Sequence, residues 1–488
     1  MPSRASEPFP PKDVTTHVVQ PTGPDRQEPA LMKRTLLSFF SAVTLLSASA
    51  QLGPNVTDWL FNTTGIMGRH YVSGNSTPIQ DAVLANVQQV QYSTDWVYMR
   101  THGIPAYITR PFLDGNPSLA TDQNAIFKIP RNPVQNTGTA TATTPGNIGV
   151  FIDGVALFDY RDGVAWNATT NALCGGPGNP VCPGGPGATQ AWSRDAVPAE
   201  RAGFDCSKAH PAMGNYHHHQ NPSAFNLDLV VISNICDLYA ADGLYAIDAA
   251  QHSPLIGFAY DGFPIYGAYG YANADGTGGV ARMQSSYQLR SITVRNTSPT
   301  GQSVTNGAPI NTSYPLGYFR EDYEYIPHPE PFYMDVHNGR FCVTPEYPNG
   351  TYAYFCTVDA NWNSAYPYVV GPTFYGVRTA SIVTSITESV TTYEPLTVGV
   401  AESAAPAFGV NVFPNPASDL IAIQINGIVR EDVDMSLFDA TGKEVRHAII
   451  AQGSTIWHLD TRTLYDGTYV VRIGTGPDAV SKVVQVIH

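Results

Sequence analysis

Charge is scarce in this chain of 488 residues. Asp, Glu, Lys and Arg make up 14 % of it, against a typical figure of about 25 %. What charge there is leans acidic: 40 Asp and Glu stand against 26 Lys and Arg, for a net charge of −14. A nucleic-acid partner is not expected, because a phosphate backbone rewards a dense basic surface. No apolar run reaches the ~18 residues that a membrane-spanning helix needs, so no transmembrane segment is expected. The common catalytic signatures are missing too. There is no G-x-S-x-G elbow, no H-E-x-x-H, no P-loop and no dinucleotide fingerprint. The six cysteines include no Cys-x-x-Cys pair, which argues against a cysteine metal site.

What is present points outward from the cell. Hydrophobic residues reach 43 %, enough for a sizeable core, and the length suits roughly three domains of about 150 residues. The chain holds 43 glycines, 39 prolines and 27 tyrosines. Few charges, many turn formers and many tyrosines describe an extracellular, β-rich, loop-rich protein. The apolar stretch Leu36 to Leu46 follows Met32, Lys33 and Arg34 and precedes Ala48, Ser49 and Ala50. A basic start, a short apolar centre and an A-x-A end make residues 32–50 a secretory signal peptide, cut after Ala50. Met32 then reads as the initiator, and the polar, Pro-rich residues 1–31 as upstream sequence ahead of the true start. An even cysteine count in an exported chain favours disulfides. Local closure suggests Cys174–Cys182 and Cys342–Cys356, which leaves Cys206–Cys236.

From 52 to 376, short aromatic-rich runs alternate with turn clusters, the pattern of an all-β body. One short helix is expected between Thr77 and Val90, where apolar residues fall at Ile79, Val83, Val87 and Val90. The stretch Ala224 to Ala240 is ambiguous between strand and helix. Two segments resemble each other: Gly149 to Phe158 around Asp153-Gly154, and Gly257 to Tyr266 around Asp261-Gly262. Asp-Gly between apolar runs predicts two β-hairpins with type I′ turns; whether they record a duplication stays open. Residues 379–409 turn to Ser, Thr, Ala, Val and Glu and read as a linker. About seven short strands follow in 410–488, which implies an immunoglobulin-like sandwich. The expected fold is thus mainly β: a large loop-rich body, then a small seven-stranded β-sandwich.

Chemistry points to the histidines. In Tyr216, His217, His218 and His219, strand alternation sends His217 and His219 to one face and Tyr216 and His218 to the other. A His-x-His pair on one face can chelate one ion, and imidazole suits zinc or copper. His252 and His337 are the leading candidates to complete that metal site. His210 and Asp261 are further candidates, with His70 and His102 more remote. Tyr216, Tyr260 and Asp261 are the candidate catalytic groups, for tuning a metal or donating a proton. Two other readings stay open: histidines bonded to backbone carbonyls as part of the fold, or metal-free acid–base use. Glu321, Asp322 and Glu324 would serve glycoside chemistry only across a cleft; otherwise they form the solvent face of a strand.

The C-terminal segment resembles the sorting domain of the type IX secretion system. The matching runs are Val412 to Asp419, Leu437 to Lys443, Asp466 to Arg472 and Lys482 to Val484. That resemblance implies type IX machinery as a partner. It also implies a place outside a Gram-negative cell, secreted or at the outer-membrane surface. The body resembles the YHYH-domain family through Tyr216 to His219, Ser253 to Gly267, His337 to Phe341 and Thr344 to Tyr352. His218 stands where the family motif has its second Tyr. Where many members carry a second Tyr-His-Tyr-His, this chain has Tyr352, Ala353, Tyr354 and Phe355. The resemblance implies identity, not an activity. Two functions are therefore expected in competition. One is a secreted or cell-surface protein that binds copper or zinc through its His-x-His pair, extending to a metalloenzyme of unknown substrate. The other is a non-catalytic surface protein that binds glycan or matrix through exposed Tyr and Trp, its histidines holding the fold; the expected partner beyond the export machinery is an extracellular polysaccharide or a small molecule.

Overall fold

The computed structural model describes residues 52–395 and 408–488, apart from 73–74, 113, 177, 186–189, 224–243, 246, 380, 428–431, 441 and 475–478. The signal peptide, Cys236 and the ambiguous stretch 224–240 lie outside the described residues. The described chain is almost entirely β, with two four-residue α-helices at Pro54–Thr57 and Ala196–Ala199. The helix expected between Thr77 and Val90 is absent. Asn75–Leu84 and Val87–Tyr92 are strands instead, broken at Asn86, whose φ is +62°. Apolar residues four apart fit a two-residue period as well as a helical one, so the spacing did not discriminate. Pairing with Met67–Val72 settled it, and Ile79 stays 44 % exposed.

A five-stranded antiparallel sheet runs in the order Ser381–Val383, Ala125–Pro130, Trp96–Thr101, Val87–Tyr92, Thr391–Tyr393. Both outer strands come from the Ser/Thr-rich stretch that composition alone reads as linker. Val97, Met99, Phe127 and Ile129 from this sheet share one buried cluster with Val150, Phe258, Ile265 and Tyr354 of a second, eight-stranded sheet. Trp59 closes on Phe258 at a centroid distance of 5.3 Å. Each such buried side chain contributes roughly 1.5–3 kcal/mol.

The eight-stranded sheet positions everything of chemical interest. Its order is Ala209–Ala212, Asn215–His218, Ala156–Phe158, Asn147–Phe151, Leu255–Ala259, Pro264–Tyr266, Thr351–Phe355, Gly339–Cys342. Read from the middle outward, the two halves have one topology. Each starts with an Asp-Gly hairpin, and each adds a later hairpin whose second strand runs parallel to the first hairpin's outer strand. The central pairs Gly149↔Ala259, Val150↔Phe258 and Phe151↔Gly257 exchange with one another under a twofold through Val150 and Phe258. A Cβ on Gly149 would lie 2.8 Å from the Phe258 carbonyl oxygen, and one on Gly257 2.7 Å from that of Val150. The same backbone approach demands glycine twice. The resemblance between the two segments is therefore a structural duplication. Register equates His218, opposite Leu157, with Tyr354, opposite Ile265. His217 then equates with Ala353, His219 with Phe355 and His210 with Arg340.

The hairpins form as expected, but their turns are not type I′. Only Gly154 and Gly262 take positive φ, at +84° and +87°. The Gly154 N–H donates to the Phe151 carbonyl, and the Phe151 N–H to that of Val155, which makes a three-residue loop closed by a left-handed glycine.

Cys174 and Cys182 are bonded as expected. Cys342 and Cys356 are free thiols. Hairpin register sets Cys342 opposite Thr351, so Cys356 lies five residues along the partner strand, about 17 Å away at ~3.4 Å per residue, beyond disulfide reach. Cys206 is disulfide-bonded.

The C-terminal segment has the seven strands its pattern implies. Phe408–Phe413, Leu420–Gly427 and Ile456–Asp460 make one sheet; Glu444–Ile450, Val433–Asp439, Gly467–Ile473 and Val480–Val486 make the other. Alternating residues such as Ile421, Ile423, Met435, Leu437, Val471 and Ile473 bury into its own core.

Candidate metal centre

Strand Asn215–His218 turns back on Ala209–Ala212 through Met213 and Gly214, both at positive φ. A two-residue turn fixes register, and that register sets His210 directly opposite His217. Their ring centroids are 4.7 Å apart. His219 continues on the face of His217, as alternation requires, with centroids again 4.7 Å apart. One ring nitrogen from each of His210, His217 and His219 falls within 4.8 Å of the others.

The hydrogen bonds then fix the protons. His217 Nδ1 donates to the Asn215 carbonyl at 2.9 Å, and His219 Nδ1 donates to the Asp159 carbonyl at 2.6 Å. A carbonyl only accepts, so in the neutral rings both Nδ1 atoms hold the proton and both Nε2 atoms are bare lone pairs. Those two Nε2 atoms face each other at 3.0 Å. Such a pair needs a shared electrophile, a proton or a metal ion. A proton is disfavoured, because burial first, then the neighbouring histidines, push His217 well below the ordinary imidazole range. Burial also lowers His219, although the Glu200 carboxylate works the other way.

Glu200 supplies a carboxylate at the same point. It follows the helix Ala196–Ala199, which Asp195 caps by accepting from the Val197 N–H. Its Oε2 lies 3.3 Å from His210 Nε2 and 3.5 Å from His219 Nε2, buried and without a hydrogen-bond partner of good geometry. Burial opposes its ionisation, but His210 and His219 beside it outweigh that and lower its pKa. Phe158 stacks on His217 at 3.8 Å, and Phe204 meets His210 edge-on at 4.9 Å. Carbonyl-anchored rings among aromatics are the surroundings that aim imidazoles at an ion. The group forms one wall of a cavity of about 720 Å³, which Asp114, Arg161, Asp162 and Met213 also line. Arg161 is held by Asp159. Burial raises Asp162 to about 6, against the pull of Arg194.

The other expected residues lie elsewhere. Tyr216, on the reverse face, donates to Asp205 at 2.7 Å and is fully buried. Asp261 sits at the buried hairpin tip and accepts from the Tyr354 hydroxyl and the Gly376 N–H. Tyr260 packs on Phe127, and its hydroxyl has no partner among the described residues. None of these three faces the histidine group, because strand alternation and the duplication axis carry them to other surfaces. His252 packs between Tyr266 and Tyr271 with Nδ1 on the Ser253 carbonyl. His337 is bonded to Thr373. Both belong to the second half of the sheet and are not part of the cluster. His70 and His102 pair with Asp81 and Asp122. Glu321 and Asp322 are buried, not solvent-facing: Glu321 accepts from the Ser193 N–H, and Asp322 pairs with Arg295. Sequence reading missed Glu200, since nothing local marks a helix-end carboxylate that meets a hairpin only in space. The positions of His210 and His217 either side of Met213-Gly214 were the available signal for the third ring.

Two known families match the chain. Residues 126–367 match the model of the YHYH protein family, and residues 411–487 match the secretion system C-terminal sorting domain. No curated protein matches the chain. The sorting domain means handling by the type IX secretion system, and so a protein secreted or held at the outer-membrane surface of a Gram-negative cell. The chain is a YHYH-domain protein with a C-terminal type IX sorting domain.

Proposed function

We propose that the YHYH body is an extracellular metal-binding domain. A zinc or copper ion would be held by Nε2 of His217 and His219, with His210 and Glu200 completing the set. The carrying observation is the pair of bare nitrogens 3.0 Å apart on two buried rings, a gap that two metal–nitrogen bonds of about 2.0–2.1 Å span. Purely structural histidines leave that contact unexplained. A bound zinc would activate water and a bound copper would support redox chemistry. The chain's own part is to present neutral rings, hold them by their Nδ1 protons, and leave the adjoining cavity for a small molecule.

The test is elemental analysis of purified protein under metal-replete conditions, beside a His217→Ala/His219→Ala double variant. One equivalent of transition metal in the wild type, lost in a variant with unchanged circular dichroism, supports the reading. A metal-free wild type overturns it, as does a double variant that keeps its metal.

A further inference from the structure

The second half of the sheet carries a cleft of its own, of about 560 Å³, unlike the histidine cavity in chemistry. We infer that this cleft is a binding site for neutral saccharide, built from the rings of Phe341 and Tyr375 and the planar polar groups of Arg131, Asn132 and Gln135.

Phe341 is 63 % exposed on an otherwise ordered hairpin. Its ring edge lies against Gly350, where an added Cβ would come within 2.9 Å of Phe341 Cε1. Gly350 takes φ +86°, so the glycine is required both by backbone and by ring. A phenyl ring held in water in this way forgoes burial, which calls for an occupant. Beside it, Tyr375 lies flat on the buried Tyr352, 3.6 Å away with planes 1° apart, so one face of the half-buried Tyr375 ring is backed and its orientation is set. Tyr352 is locked by its hydrogen bond to Asp335 at 2.8 Å, so the support under Tyr375 is preformed.

The polar lining selects among ligands. It contains three planar side-chain amides beyond the aromatics, Asn132, Gln135 and the backbone-bonded Asn55, and one guanidinium, Arg131, but no carboxylate. A quaternary ammonium or other cation is disfavoured next to Arg131 with no anion to offset it. A pyranose offers what the cleft lacks: apolar C–H faces for the rings and vicinal hydroxyls that amides and a guanidinium bond in pairs. The volume falls in the usual range of about 300–1,000 Å³ for small-ligand sites. The histidine cavity, by contrast, carries Asp114, Asp162 and Glu200.

Calorimetric titration of the intact mature chain with cellohexaose, chitohexaose and maltohexaose tests the inference, with choline as the cationic control. At least one saccharide should bind at about 1 mM or tighter. Phe341→Ala should weaken it at least about tenfold, Phe341→Trp should retain it, and the His217→Ala/His219→Ala variant should be unaffected. Failure of all three saccharides, or binding indifferent to Phe341→Ala, overturns the inference, as does preference for choline. Because the histidine variant is a separate arm, loss of the metal reading and loss of this one are read apart.

Discussion

The two halves of the eight-stranded sheet share one backbone plan and hold opposite contents at equivalent positions. Where one half converges His210, His217 and His219, the other places Arg340, Ala353 and Phe355. Arg340 donates to the carbonyls of Tyr271, Ala272 and Pro331, and its guanidinium lies 5.6 Å from the Phe355 ring. A fixed side-chain cation and an apolar ring thus occupy the place that, in the first half, is open to an ion. The lesson is that the β framework tolerates either solution, because the framework is set by hairpin register and paired glycines and not by the site.

The hairpin tips teach the same thing in reverse. Asp261 accepts from Tyr354, while at the position equivalent to Tyr354 the first half has His218, which bonds Tyr107 and the Lys208 carbonyl. Asp153 Oδ2, the counterpart of the Asp261 oxygen that Tyr354 bonds, is buried without a partner among the described residues. Burial raises Asp153 to about 7 and Asp261 to about 6, the Tyr354 hydroxyl holding the latter down.

The comparison can be broken or sharpened in order of size. Arg340→His/Ala353→His/Phe355→His should give the second half a centre of its own, raising bound metal from one to two equivalents in elemental analysis; an unchanged ratio would show that the halves differ in more than side chains. Gly149→Ala and Gly257→Ala should each cost about 3 kcal/mol in denaturant unfolding, and by similar amounts, if the twofold approach is real. Asp153→Asn should stabilise on the order of 3 kcal/mol at pH 8. The sign follows from a folded pKa above the unfolded one: the wild type loses stability as pH rises from about 4 through 7, and the amide removes that loss. The two proteins should therefore unfold alike near pH 4, and a gain there instead would refute the cause. Glu200→Gln should weaken metal binding about 10- to 100-fold in competition titrations while leaving the fold intact. Smallest is His218→Tyr, which should lower the Asp153 pKa toward that of Asp261, a change of about one unit or ~1.4 kcal/mol, visible in the carboxyl NMR titration.

Much of this was legible in one dimension. The alternation of Tyr216 to His219 put the right two rings on one face, and the repeated Asp-Gly runs marked the two hairpins that sit at the centre of the sheet. The seven strands of the sorting domain followed from their own turn residues. The third ring and the carboxylate were not legible in the same way. His210 was one candidate among several until strand register set it against His217, and His252 and His337 ranked ahead of it because sequence does not say which half of a duplicated sheet a histidine joins. Glu200 reaches the site only through a helix end packed beneath the hairpin.

Local pattern, then, determined what needs only neighbours along the chain: β class, hairpins, export tail and the face of each residue in the His-x-His run. Tertiary structure decided what depends on pairing between distant strands: the twofold arrangement, the free state of Cys342 and Cys356, the third histidine and the carboxylate beside it. The reason is that alternation is a property of one strand, whereas register is a property of two.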